Sequence, residues 1–144
     1  MRILNRRSVP AVIALASLVV VGQARPDDEL DAHLAELKRQ VDRPSTLLHR
    51  REQLTLQMAS TLDRAAQASP SHSVRRECWT RATVVLDEFG REHRGHALAR
   101  EFQLQAAVYA WASGRTWADD ARLATSDPGP KIEAVRVLDG AIKR

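Results

Sequence analysis

The stretch Val85–Tyr109, VLDEFGREHRGHALAREFQLQAAVY, decides how the chain is read. Val74, Cys78, Ala82, Val85 and Phe89 recur at spacings of four and three, so they share one face of a helix from about Val74 to Arg91. Gly90 and Gly95 bracket a turn around Arg91–Arg94. Leu98, Phe102, Ala106 and Tyr109 repeat the spacing beyond it, giving a second helix of about His96–Ser113 with Gly114 at its C′ position. Helix, tight turn, helix is the unit from which the rest is built.

Upstream, Pro26 precedes Asp27-Asp28-Glu29, a first-turn proline followed by acids that complement the helix dipole. Leu30, Leu34, Leu37 and Val41 form a heptad-like stripe, and Pro44 ends that helix near Asp42. Ser45 is placed to cap a second helix with apolar positions Leu47, Leu54, Met58, Leu62 and Ala65. The segment 25–68 contains no aromatic residue, so it is expected to be an arm that packs against something else. Ser69-Pro70-Ser71-His72-Ser73 is a loop. Downstream, Trp117, Ala121 and Leu123 mark a short fifth helix, and Thr125–Pro130 a second loop. A last helix from Pro130 or Lys131 uses Ile132, Val135, Leu138 and Ile142. Nothing after residue 24 alternates with period two, so the expected class is all-α, antiparallel helical hairpins in series. All six aromatics lie between Trp79 and Trp117, which places the stable heart in helices three to five.

The first 24 residues read differently. Arg2, Arg6 and Arg7 precede an apolar run from Val9 to Val21, and Gly22-Gln23-Ala24 ends in small residues, the layout of a cleavable export signal. The run is shorter than the roughly 20 apolar residues of a bilayer span. The expected location is therefore periplasmic or secreted, with no stable membrane insertion after cleavage. Three of the 22 basic residues leave with the signal against 18 acids, so the remainder carries +1. The interleaving of the two signs argues against a nucleic-acid partner. Cys78, the single cysteine, allows no internal disulfide.

Phe89, His96, Ala99, Phe102, Leu104 and Tyr109 together resemble the junction between repeats in tetratricopeptide (TPR)-like exported bacterial proteins. Gly114 with Trp117 and Ala121 is similar to the step into a following helix, and Ala134, Val137-Leu138 and Ala141-Ile142 to a further repeat helix. The likeness covers about residues 85–142. Arg94 stands where the family has a turn proline, and Leu104-Gln105 replaces its Leu-Gly pair. The resemblance implies a short right-handed array of helices over 74–144, following the arm of 25–68. It also implies binding of a protein or peptide in a helical groove, without catalysis.

No cofactor fingerprint or nucleophile–base motif occurs, so no catalytic, cofactor or metal residue is assigned. His93 and His96, with Glu92 and Glu101 nearby, lack the spacing of a zinc helix and read as solvated turn histidines. Cys78 shares an apolar face and reads as a buried thiol. Arg50-Arg51 and Arg75-Arg76 read as solvated faces beside Glu52 and Glu77. The candidate partner-binding residues are Trp79, Phe102, Tyr109 and Trp111, the last lying off the apolar stripe of its helix and so expected to be exposed. The competing reading is a helical stress chaperone or metal-responsive adaptor of the periplasm, which would self-associate, with the Leu30–Val41 seam as a possible homodimer contact.

Overall fold

The computed structural model describes residues 26–123 and 128–143; the expected export signal lies outside them. The described residues form five helices and no strand: α1 (Pro26–Asp42), α2 (Leu48–Ala68), α3 (His72–Glu92), α4 (Ala99–Leu123) and α5 (Gly129–Ile142). Each helix packs on the next in the chain. Loop chemistry sets the boundaries of α1 and α3 as the sequence suggests, but not the start of α2. Ser45 does not cap it. The helix begins at Leu48, and Thr46 instead donates its hydroxyl to the Gln40 carbonyl at 2.7 Å, tying the connection back to α1.

The core is one cluster drawn from α1 to α4. Leu34 and Leu37 join Leu54, Met58, Leu62, Cys78, Leu86, Phe89, Phe102 and Tyr109, and Phe89 stacks on Phe102 with centroids 4.4 Å apart. Two expectations change here. The aromatic-free segment packs within its own chain: α1 and α2 supply half the residues of the core cluster, and Leu30 and Val41 lie against it as well. The heart therefore lies in helices one to four. The aromatics of α3 and α4 need a facing layer of leucines, and α1 and α2 are what the chain offers.

The second correction concerns Gly114. No helix ends there; α4 runs unbroken through it to Leu123, so the separate fifth helix does not exist. Gly114 has no positive φ, as a glycine C-cap would. It is buried, and a Cβ built on it would stand 2.7 Å from Leu138 Cδ2. The glycine lets α5 sit directly on the backbone of α4. Leu138 fills that seat, and this sets the rotation of α5. Ala134 and Ala141 turn inward, while Ile132, Val135 and Ile142, expected to pack, stand exposed.

Candidate functional site

The four candidate partner-binding residues do not form one surface. Phe102 is 2% exposed and Tyr109 is 8% exposed, both as members of the core. Their outer edges nonetheless floor a groove of about 580 Å³ between α2 and α4, with Leu98, Leu56 and Ala59 beside them. Gln53, Gln57, Ser60, Glu101 and Gln105 complete its lining. Burial pushes the Tyr109 hydroxyl above its ordinary range, against a smaller opposing effect from its hydrogen bond with Gln105. Trp79 does not line this groove; its indole N–H donates to Asp63 Oδ1 at 2.9 Å. Trp111 is elsewhere: it is half exposed, and the Arg115 guanidinium lies 5.0 Å over its ring.

Sequence reasoning missed Leu56 and the glutamines. Leu56 follows the apolar stripe of α2 by two residues, which puts it off the packed face and leaves it 42% exposed at the groove. The signal of its exposure was the break in amphipathic pattern that a leucine two residues off the stripe makes.

Two arginines expected on solvated faces are structural. Arg76 is paired with Asp120 of α4, lies 3.9 Å over the Trp117 ring, and keeps only 15% of its side chain exposed. His72 Nδ1 meets the other oxygen of the same carboxylate at 2.6 Å. Burial pushes Asp120 up, but the hydrogen bonds from His72 and Arg76 and their charges outweigh it and hold the carboxyl below its usual range. This clasp fastens the start of α3 to the end of α4. Arg51 donates to the Arg43 carbonyl at 3.2 Å, while its Nε is buried without a partner. Desolvating these guanidiniums is tolerated because each still finds a carbonyl, carboxylate or aromatic face.

The turn histidines are partly enclosed. His93 lies 4.5 Å from the Phe89 ring, and His96 Nε2 is 3.8 Å from Glu52, whose side chain is largely buried. Among the described residues no three His, Cys, Asp or Glu side chains converge on a metal position. Cys78 is buried in the core, as its apolar face implies. No known protein family, curated protein or solved structure matches this chain.

Proposed function

We propose that this chain is a non-catalytic, extracytoplasmic interaction module that binds an extended segment of a partner protein in the groove between α2 and α4. In this reading the helices form antiparallel hairpins in series, a short TPR-like array, and residues 1–24 direct export. The α2–α4 groove carries the reading. Its floor is apolar, from Leu56, Leu98 and the edges of Phe102 and Tyr109, and its walls carry the amides of Gln53, Gln57 and Gln105. An amide side chain both donates and accepts, so it suits the backbone of an extended peptide, whose N–H and C=O groups otherwise lose water unpaired. A floor of aromatic edges takes an apolar side chain from the same peptide. Glu101 is the one ionised side chain in a lining that is otherwise apolar, amide or hydroxyl, a mixture that suits recognition of a peptide.

The test is site-specific photo-crosslinking of the chain in its envelope, with the reactive group at Gln57, at the groove, or at Arg39, on the exposed face of α1. A discrete protein adduct from Gln57 that is absent from Arg39 and lost on Leu56→Glu is the expected result. An adduct at twice the mass of the chain would assign the groove to a second copy. Equal labelling from both positions would sink the groove as a binding site.

A further inference from the structure

On the outer face of α4, Arg100, Leu104, Val108, Trp111 and Arg115 follow one another at spacings of four, four, three and four. That spacing keeps them in one line along the helix, and Trp111 lies about 180° around the axis from Phe102. All five are exposed, Leu104, Val108 and Trp111 by 50% or more. Over the roughly 22 Å from Arg100 to Arg115 the stripe is a crest with no helix beside it. Neither Arg100 nor Arg115, nor Arg94 at the preceding turn, has an ion-pair partner among the described residues. The acids of α4 are committed elsewhere: Glu101 lines the groove, Asp119 meets Arg122, and Asp120 holds Arg76 and His72. At the N-terminal end of the crest, Arg94, His96, Arg100 and Gln103 surround a hollow of about 450 Å³ that no carboxylate lines.

We infer that this crest docks the protein on an anionic phospholipid surface, with Leu104, Val108 and Trp111 dipping into the interface and Arg94, Arg100 and Arg115 meeting headgroup phosphates. The modest overall charge of +4, from 22 basic and 18 acidic residues, conceals this local asymmetry. Tryptophan prefers the headgroup level, and an arginine stem lies along apolar surface while its guanidinium reaches phosphate. Binding of this kind combines apolar burial with attraction to anionic lipid. The apolar residues separate the cations along a convex line, which suits mobile headgroups that gather opposite each charge. No helix among the described residues is long and apolar enough to cross a membrane, so the association is peripheral. This inference does not rest on the α2–α4 groove, none of whose lining residues takes part in it.

The core lies wholly within residues 34–109, so a chain beginning at Arg25 keeps all of it. That chain is sedimented with vesicles of phosphatidylcholine alone or with about one third phosphatidylglycerol, each arginine near such a surface contributing about fivefold to binding. Expected are binding to the anionic vesicles only, and release at about 0.5 M salt, where the charges are screened. Arg100→Glu with Arg115→Glu should weaken binding by about 30-fold or more. Trp111→Ala should weaken it while leaving the circular-dichroism melt in place. Equal binding to both vesicles, or binding unchanged by the double reversal, would overturn the inference. So would failure to bind lipid by a chain that binds soluble polyglutamate through the same arginines, which would assign the crest to an acidic protein.

Discussion

Replacing Gly114 by alanine distinguishes two accounts of the same residue. In a helix interior alanine is favoured over glycine by about 1 kcal/mol, because it loses less backbone freedom on folding. At Gly114 the added methyl would stand 2.7 Å from Leu138 Cδ2 and 2.8 Å from Leu138 Cγ, with the Leu138 backbone nitrogen at 3.4 Å. Rotating the tip of Leu138 away cannot clear Cγ, so α5 must shift or lose its seat. Overpacking of this kind costs about 1–3 kcal/mol, so Gly114→Ala should be net destabilising by up to about 2 kcal/mol. In a Leu138→Ala background the obstruction is gone, and the same substitution should stabilise by about 1 kcal/mol. The observable is a change of sign across a double-mutant cycle, read by thermal melts monitored at helical ellipticity. Each 1 kcal/mol moves Tm by about 3–6 °C for a chain of this size. If Gly114 capped a helix in the left-handed conformation, alanine would destabilise in both backgrounds. Stabilisation in both would mean that α5 does not rest there. Either of those two patterns refutes the packing argument.

Three further outcomes follow from the same contacts. Phe102→Ala removes the ring that stacks on Phe89 and should cost about 3–5 kcal/mol, lowering Tm sharply; an unchanged melt would displace the core from where it is described. Asp120→Ala leaves the largely buried Arg76 without its carboxylate and should cost about 1–3 kcal/mol at neutral pH. Because the folded pKa of Asp120 is lowered, its contribution is fully present above the unfolded value of about 3.9 and is lost as pH falls through the folded one. The difference in Tm between wild type and variant should therefore narrow on acidification below about pH 4, and a difference that stays constant down to about pH 2 would show that the carboxylate charge is not what fastens α3 to α4. Trp111→Ala, on an exposed face, should change stability by no more than about 0.5 kcal/mol; a larger loss would place this ring in the core.

The groove was only half legible from the sequence. Phe102 and Tyr109 could be picked out because bulky aromatics are few in this chain, but the same bulk that made them conspicuous puts them in the core, with only their edges on the groove. Nothing in the sequence tied Leu56 and Gln57 to a groove, since what places them there is the proximity of α4, a neighbour more than forty residues away in the chain. Arg76 was read as a surface charge because Glu77 follows it, yet its partners, Asp120 and Trp117, come from α4.

The sequence by itself determined the helices of α1 to α3 and the proline-bearing connections among them, because helical periodicity and prolines act over a few residues. It also determined that Cys78 points into an apolar interior, since Val74 and Ala82, four residues to either side, are apolar. Tertiary structure decided what those elements face. It turned Gly114 from a helix end into a seat for Leu138, rotated α5 so that alanines pack and Ile132, Val135 and Ile142 do not, and folded the segment 26–68 into the common core. A local pattern records that a residue tolerates helix and avoids water. Which surface it meets depends on the shape of residues distant in the chain, and a glycine that ends a helix and one that admits a neighbouring helix are the same letter.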